Sequence, residues 1–315
     1  MKKILITGCA GFIGYNLTKF LIKKKFFVLG IDNLDNYYSV KLKKQRISDL
    51  KKSKSFKFLK IDLKKKINLK KMNYKFSFII HLAAQAGVKA SVINPRKTIE
   101  NNIKGFLEIL EFAKINKIKN FIYASSSTVY GKNKTPCTET QKNNTPLSIY
   151  GATKIANENM AYVYHNLYDI NFFGLRFFTL YGNSLRPDMA LYKFIKKIKK
   201  KEKINLFNYG KNMRDFTFIE DINLKIFEIL KFMKKREKKD VFEIINLGNG
   251  KKISTLKVLN IIGNILKIKP KIKLSKKFKD DMFVTHSFLK KQKKLLKKIR
   301  YTNFEDGIKK YINSN

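Results

Sequence analysis

The sequence predicts a three-layer α/β fold, with a doubly wound parallel sheet of Rossmann type followed by a smaller C-terminal α/β region. Short apolar segments alternate with helical stretches through the first half of the chain, and this alternation favours parallel strands joined by right-handed crossovers. A glycine-rich turn follows the first apolar segment, and the simple rhythm ends after 172–178. We therefore expect a Rossmann domain at 1–180, rejoined by a strand near 241–247, and a substrate-binding region at 181–315.

The first strand, Ile4-Leu5-Ile6, runs directly into a glycine-rich turn, which is followed by a helix with regularly spaced apolar residues. A strand, a G-x-x-G-x-x-G turn and a helix together allow backbone amides and the helix N-terminus to hold a pyrophosphate. The sequence therefore predicts a dinucleotide-binding turn. We expect its contacts to come from Gly8, Gly11, Phe12, Ile13 and Gly14.

The second strand, 27–31, ends in Asp32, close to the spacing at which dinucleotide-binding folds place a ribose-binding acid. A carboxylate there accepts hydrogen bonds from the adenosine ribose hydroxyls and repels a 2′-phosphate. The position therefore predicts NAD rather than NADP as the cofactor, with Asn33 as a neighbouring contact.

Polar and small residues also follow the third and fourth strands. Asp62 ends the third strand, where it either accepts a hydrogen bond from the adenine amino group or is simply a polar strand end. His81 follows the fourth strand and is equally compatible with a structural or a catalytic role. The small residues after it permit close packing of a cofactor. Further cofactor contacts are expected from Leu63, Leu82, Ala83, Ala84, Asn102 and Ser125.

The fifth strand, 121–124, delivers Ser125-Ser126-Ser127 to the sheet edge at which doubly wound folds bind ligands. Tyr150 and Lys154 lie four residues apart on a predicted helix and therefore share a face. An ammonium group beside a phenol favours the phenolate, so Tyr150 can act as a base near neutral pH. A serine hydroxyl would complete the proton path. Taken alone, the pair would be read as a helix-surface contact, but its context favours catalysis.

Composition excludes several classes of protein. The formal net charge is +46, but lysines are spread along the whole chain without the interleaved aromatic residues typical of single-strand binding, so we expect no specific nucleic-acid partner. No apolar run is long enough to span a bilayer, which predicts a cytoplasmic protein without a membrane partner. Two cysteines allow neither a disulfide framework nor a zinc cluster, and no metal is expected. Arginine is rare, so Arg176, Arg186 and Arg214 are candidates for phosphate or carboxylate recognition.

Taken together, the glycine turn, Asp32, residues 81–84, the serine cluster before Val129-Tyr130-Gly131 and Tyr150-x-x-x-Lys154 resemble the extended short-chain dehydrogenase/reductase family. Finer motifs are similar to those of its UDP-glucuronate 4-epimerases. These finer motifs are Asp35-Asn36-Tyr37-Tyr38, Ala84-Gln85-Ala86-Gly87-Val88, Leu175-Arg176-Phe177-Phe178-Thr179, Arg186-Pro187-Asp188-Met189-Ala190 and Arg214-Asp215-Phe216-Thr217.

The resemblance implies a tightly bound NAD and a UDP-sugar substrate. It assigns Tyr150 as catalytic acid and base, Lys154 as the group that holds the nicotinamide ribose and lowers the tyrosine pKa, and Ser126 as the hydrogen-bond partner of the substrate hydroxyl, with Ser127 as the next candidate. It also implies a homodimer formed through a helix pair that includes the helix of Tyr150. The implied substrate contacts are Gln85, Lys89, Ser126, Thr179, Arg186, Met189, Arg214 and Asp281.

The residues after the catalytic serine limit the reaction. Related dehydratases and decarboxylases carry an acid there, whereas Ser127 and Thr128 occupy those places in this chain. We therefore expect epimerisation rather than elimination, and the resemblance implies that the reaction is epimerisation of UDP-glucuronate at C4. The alternatives are a UDP-glucose/UDP-galactose 4-epimerase, another NAD-dependent nucleotide-sugar epimerase or dehydratase, or a non-catalytic regulator or nucleic-acid binder. Tyr150-x-x-x-Lys154 argues against the non-catalytic alternatives.

Overall fold

The computed structural model describes residues 2–65, 74–141, 145–236, 240–276 and 283–314. The chain separates into two compact units, each assembled from segments that are distant in sequence. The first unit comprises residues 1–131, 142–176 and 223–245, and the second comprises 132–141, 177–222 and 246–315.

The strands, in chain order, are β1 Lys3–Thr7, β2 Phe27–Asp32, β3 Phe56–Lys60, β4 Phe78–His81, β5 Asn120–Ser126, β6 Asn171–Phe177, β7 Thr179–Tyr181, β8 Ile204–Leu206, β9 Met213–Phe218, β10 Phe242–Leu247, β11 Lys252–Ser254 and β12 Ile272–Leu274. The helices are α1 Phe12–Lys23, α2 Val40–Lys51, α3 Val88–Ile93, α4 Pro95–Ile99, α5 Gly105–Ile115, α6 Ile149–Tyr168, α7 Ala190–Lys199, α8 Ile219–Lys235, α9 Thr255–Leu266, α10 Lys290–Leu295 and α11 Phe304–Asn313.

The main sheet of the described residues has the strand order β10-β6-β5-β4-β1-β2-β3. Ile6 of β1 lies opposite Gly30 of β2 on one side and Ile80 of β4 on the other, both in parallel register. The strand order reverses at β1, which is the switch point at which doubly wound sheets bind ligands beyond the carboxyl ends of their strands. The predicted fold class is confirmed.

An aromatic core lies between the sheet and the helices α5 and α6. Phe106 of α5 packs against Phe121 and Tyr123 of β5, and Phe172 of β6 contacts both strand residues. All four side chains are fully buried. Burying a side chain of this size stabilises the folded state by about 2 to 3 kcal/mol before entropy is subtracted, so this cluster holds the strand end that carries the serines.

The sequence predicts one helix over 98–114, but the structure divides it. Helix α4 ends at Ile99, a π-helical turn spans Glu100–Lys104, and α5 begins at Gly105. Asn102 lies in this turn, where its carbonyl accepts a hydrogen bond from Asn157 Nδ2 at 2.7 Å. A single π-turn inserts an extra residue into a helix and is frequently found at functional sites.

The second unit contains small sheets with the orders β11-β9-β7 and β12-β8 among the described residues. Asp215 lies on β9, the middle strand of the first of these sheets, and is fully buried. Its carboxylate accepts hydrogen bonds from the backbone amides of Asn249, Gly250 and Ser287, and from Ser287 Oγ. One side chain therefore connects three segments of the unit.

No helix in the described part of the chain combines the length and the apolar character that crossing a bilayer requires.

Candidate active site

The glycine-rich turn between β1 and α1 comes too close to neighbouring backbone to accommodate side chains. Gly8 has φ +73°, and a Cβ built on it would lie 2.7 Å from Ala83 N. A Cβ on Gly14 would lie 2.1 Å from Gly8 O. Glycine alone avoids these contacts and tolerates the positive φ. The turn thus has the compact backbone that allows a pyrophosphate to approach the N-terminus of α1.

Asp32 lies at the end of β2, beside this turn. Its Oδ2 accepts a hydrogen bond from Ala10 N at 3.1 Å, and its Oδ1 accepts one from Leu34 N at 2.8 Å. Burial raises the pKa of this carboxyl group, while the amide of Leu34 and the ammonium of Lys43 act in the opposite direction. Because each carboxylate oxygen has a second lone pair, Asp32 can accept from ribose hydroxyls while the two amides hold it in place.

An open cavity of about 640 Å³ lies at the carboxyl ends of β2 and β3. Asn33 and Asp62, both expected to contact the cofactor, are among its lining residues. Asp62 also accepts a hydrogen bond from Lys64 N at 3.1 Å, whereas Leu63 is buried in the core. The position and size of the cavity suit the adenosine half of a dinucleotide.

Consecutive serines at the end of β5 have different hydrogen-bond partners. Ser125 is buried and donates to Glu158 Oε1 at 2.6 Å. Ser126 Oγ accepts from Thr128 Oγ1 at 3.0 Å and from Thr128 N at 3.2 Å. Ser127 begins a 3-10 turn and is half-buried. Since Ser126 Oγ is the acceptor in both contacts, its own O–H can donate to a substrate.

Tyr150 and Lys154 lie one turn apart near the start of α6. Lys154 Nζ is 5.8 Å from the centroid of the Tyr150 ring and donates to Ala124 O at 2.8 Å. Lys154 is only 1% exposed, and burial lowers its pKa to about 8, against the opposing influence of Glu158. The two residues are therefore not a solvated surface pair. Helix α6 packs against β5 and brings this ammonium group to the end of the strand that carries the serines.

His81 has a structural environment. Its ring is fully enclosed at the end of β4, and its Nδ1 forms a 2.9 Å hydrogen bond with Thr7 Oγ1, which also accepts from Ala83 N. Burial, reinforced by the charge of Lys154, lowers the pKa of His81 to about 3. The imidazole is therefore neutral near pH 7, and its contacts connect β4 to β1. The geometry supports the structural alternative that the sequence left open.

Asn102 connects the loop after β4 to helix α6. Its Oδ1 accepts from Gln85 N at 2.7 Å, and its Nδ2 donates to Gln85 O at 3.2 Å and to Thr153 Oγ1 at 3.0 Å. Its carboxamide therefore binds protein at both ends and holds the backbone of Gln85. Lys89 lies on α3 and is exposed. Cofactor contact by Asn102 and substrate contact by Gln85 and Lys89 remain predictions.

The other expected substrate residues belong to the second unit. Thr179 begins β7, and Met189 immediately precedes α7 as its N-cap. Asp281 lies outside the described residues.

Two arginines of the second unit have partners within their own unit. The guanidinium of Arg186 forms a bidentate ion pair with Asp188 through contacts of 3.1 and 3.0 Å. Arg214 donates from Nη1 to Met213 O at 2.9 Å and to Phe283 O at 3.4 Å. These contacts orient both arginine side chains. Binding of a substrate by Arg186 and Arg214 remains a prediction.

The third arginine, Arg176, binds a carboxylate of the chain itself. Its Nε and Nη2 donate to Glu158 Oε1 and Oε2 at 2.9 and 2.7 Å, and both residues are buried. Sequence reasoning identified Arg176 as a candidate for ligand recognition and overlooked Glu158. The available signal was the spacing of Glu158, one helical turn beyond Lys154 on the same predicted face.

A family model described as the NAD dependent epimerase/dehydratase family matches residues 4–248. This chain belongs to that family. The family resemblance that the motifs indicated is confirmed. The family is described as NAD dependent, in agreement with the predicted cofactor.

Individual members of the family are similar over almost the whole chain. A UDP-glucuronate 4-epimerase of Thermodesulfobacterium geofontis is 41% identical, covering 99% of this chain and 96% of its own length. UDP-glucuronate 4-epimerase 4 of Arabidopsis thaliana is 35% identical, covering 98% of this chain and 74% of its own length. The crystal structure of UDP-glucuronic acid 4-epimerase from Bacillus cereus, in complex with UDP-glucuronic acid and NAD, matches with a TM-score of 0.91 at 31% identity, covering 99% of this chain and 98% of that one.

Proposed function

We propose that this chain is an NAD-dependent UDP-glucuronate 4-epimerase, which interconverts UDP-glucuronate and UDP-galacturonate. The observation that carries the proposal is the buried Lys154 beside Tyr150, held at the end of the strand that bears Ser126. Relatives named for this activity match nearly the full chain. The machinery suits a reaction that needs one proton relay and a reversible oxidation at the sugar C4.

The first unit has the residues to hold NAD. Gly8 and Gly14 leave room for the pyrophosphate at the N-terminus of α1, Asp32 is fixed for the ribose, and the cavity beside Asp62 accommodates the adenine. When bound, NAD supplies an acceptor for the hydride from C4 and then a donor that returns it. The carboxylate of Asp32 would repel the 2′-phosphate of NADP.

Proton transfer is the task of the protein. Tyr150 removes the proton of the sugar 4-hydroxyl during oxidation and returns it when the keto group is reduced. Lys154 favours the phenolate form because its ammonium lies beside the ring. Ser126 donates a hydrogen bond to the same sugar oxygen and so fixes its orientation toward Tyr150. The position after Ser126 lacks an acid that would promote elimination.

We assign Arg214 to the diphosphate and Arg186 to the diphosphate or the sugar carboxylate. Both guanidinium groups are directed by contacts within the second unit, and bidentate recognition of such anions is the chemistry to which arginine is best suited. A firmly held carboxylate is needed because a 4-keto uronate is a β-keto acid, which loses CO₂ readily.

The test is to incubate the purified protein with UDP-glucuronate, UDP-galacturonate, UDP-glucose and UDP-galactose separately, without added reductant, and to resolve the products by chromatography. Interconversion of the two uronates alone, abolished by Tyr150→Phe, is the expected result. Turnover of the neutral pair would assign the chain to the UDP-glucose/UDP-galactose epimerases, and release of CO₂ would overturn the proposed reaction.

The homodimer implied by the resemblance is also part of the proposal. Helices α5 and α6 expose Leu107, Val163 and Leu167, with Leu167 at 65% exposure. Val163 and Leu167 lie one turn apart and form an apolar stripe that a second copy would cover. Light scattering should give twice the chain mass, and Val163→Glu combined with Leu167→Glu should give the monomer.

The enzyme would work in the cytoplasm and supply a uronate donor for polysaccharide biosynthesis. Its cysteines, Cys9 and Cys137, are both buried thiols rather than a disulfide, as suits a reducing compartment.

A further inference from the structure

A buried ionic network lies one helical turn below the candidate catalytic pair. Glu158 of α6 receives two hydrogen bonds from the guanidinium of Arg176, at 2.9 and 2.7 Å. Arg176 also donates to Tyr130 Oη at 3.0 Å, and its guanidinium carbon lies 4.9 Å from the centroid of the Tyr130 ring. The Glu158 and Arg176 side chains are only 7% and 4% exposed, so the pair is screened from water.

The network connects helix α6 to the end of β5 at two successive residues. Lys154 donates to the carbonyl of Ala124, and the hydroxyl of Ser125 donates to Glu158. Ser126 is the next residue along the strand. Because Lys154 and Glu158 are one turn apart, these two contacts determine both the distance and the register between the helix and the strand.

Titratable groups of several elements face Lys154 or its neighbour Glu158. Tyr150 and Glu158 lie on its own helix, His81 faces it from β4, and Tyr123 and Arg176 surround the carboxylate of Glu158 from β5 and β6. Burial lowers the pKa of Lys154, and Glu158 is the group that opposes this effect. The positive charge of Arg176 weakens the effect of the Glu158 carboxylate on Lys154. The balance of charge between Glu158 and Arg176 therefore influences the pKa of the Lys154 ammonium group.

We infer that Glu158, held by Arg176, is a positioning residue for the reaction: it fixes Ser126 relative to the helix of Tyr150 and helps to keep Lys154 protonated. The expected fall in kcat rests on the proposed epimerase function. The expected change in the Tyr150 pKa can be measured without any substrate.

The test begins with Glu158→Gln, which keeps the shape of the side chain and removes its charge. Lys154 then loses its proton at lower pH, so the phenol of Tyr150 should titrate higher by roughly one pH unit. This pKa is measured from phenolate absorbance in the ultraviolet, as the difference between the variant and the same variant carrying Tyr150→Phe. The kcat for UDP-glucuronate should fall about tenfold or more while KM changes little.

Two further variants separate position from charge. Glu158→Gln combined with Arg176→Gln removes both charges and should restore the Tyr150 pKa. Ser125→Ala removes the hydrogen bond from the strand to Glu158 and, measured at saturating NAD, should lower kcat without changing that pKa. Glu305→Gln, which breaks the exposed ion pair with Lys309, is the matched control and should change neither quantity. If Glu158→Gln fails to fold, Arg176→Gln alone provides the electrostatic test: it leaves the Glu158 charge unopposed, so Lys154 should keep its proton to higher pH and the Tyr150 pKa should fall. Ser125→Ala still tests the positioning role.

An unchanged Tyr150 pKa in folded Glu158→Gln, or no recovery of that pKa in the double variant, would overturn the electrostatic role. Full kcat in Ser125→Ala would overturn the positioning role. If the wild-type protein turned over neither uronate, the proposed function would fail, while the absorbance titration would still decide whether Glu158 controls the Lys154–Tyr150 pair.

Discussion

Replacing Lys154 with methionine should raise the pH at which the enzyme becomes active. Lys154 Nζ lies 5.8 Å from the centroid of the Tyr150 ring. With the phenolate charge placed at that centroid and an effective dielectric constant of about 20, the attraction is about 3 kcal/mol. This corresponds to about two pKa units on Tyr150. Activity is lost as pH falls through the Tyr150 pKa, because the phenol cannot then accept the proton of the sugar hydroxyl.

The assay is the rate of UDP-glucuronate epimerisation across pH, at saturating NAD, for the wild type, Lys154→Met and Lys104→Met. Lys104 is exposed on the π-turn, so its replacement changes the net charge equally without affecting Tyr150. The acidic limb should move upward by about two pH units in Lys154→Met only. Thermal unfolding should show a folded variant, because burial already disfavours the ammonium. An acidic limb that stays in place in a folded, NAD-bound variant would refute the electrostatic reasoning.

Other substitutions test the cofactor turn, the buried histidine and the second unit. Gly14→Ala places a methyl group against Gly8 O, so it should lower the free energy of unfolding by roughly 1–3 kcal/mol and abolish NAD binding. Gly105→Ala is the control, because its new Cβ makes only ordinary contacts from 3.4 Å, and calorimetry should show unchanged stability. His81 takes up a proton below about pH 6.5 when the chain is unfolded but only near pH 3 when it is folded. The free energy of unfolding should therefore decrease as pH falls from about 6.5 to about 3, by up to about 1.4 kcal/mol per pH unit. Denaturation experiments should show a smaller decrease over this pH range in His81→Asn. Arg214→Ala should raise KM for UDP-glucuronate at least about tenfold and leave NAD binding unchanged in titration calorimetry.

The parts of the site that could be predicted are those whose signal is local in sequence. Gly8 and Gly14 were recognisable because a strand and a helix flank them, and Asp32 because a strand ends there. The environment of His81 was not predictable, because its partner Thr7 lies on a different strand, far away in sequence. The pairing of Glu158 with Arg176 likewise depends on how α6 packs against β6, which residue spacing does not encode.

The π-turn between α4 and α5 is another feature that the sequence did not predict. Periodicity over 98–114 suits one continuous helix, whereas Asn102 lies in a π-turn and bonds to Gln85 and Thr153, contacts that residue spacing does not encode. Tertiary contacts of this kind commonly override local helix propensity.

The hydrogen bonds around Asp215 have a consequence for the order in which the protein can mature on the ribosome. The donors to this carboxylate come from Asn249, Gly250 and Ser287, so a nascent chain that has emerged only as far as β9 carries a carboxylate whose partners are not yet synthesised. Enclosing it at that stage would leave a buried charge without donors, which is strongly unfavourable. The sheet of the first unit requires nothing beyond Leu247 of β10. A chain truncated between Leu247 and Ser287 would therefore contain every described strand of the main sheet but an unfinished second unit, and quality-control proteases should remove it.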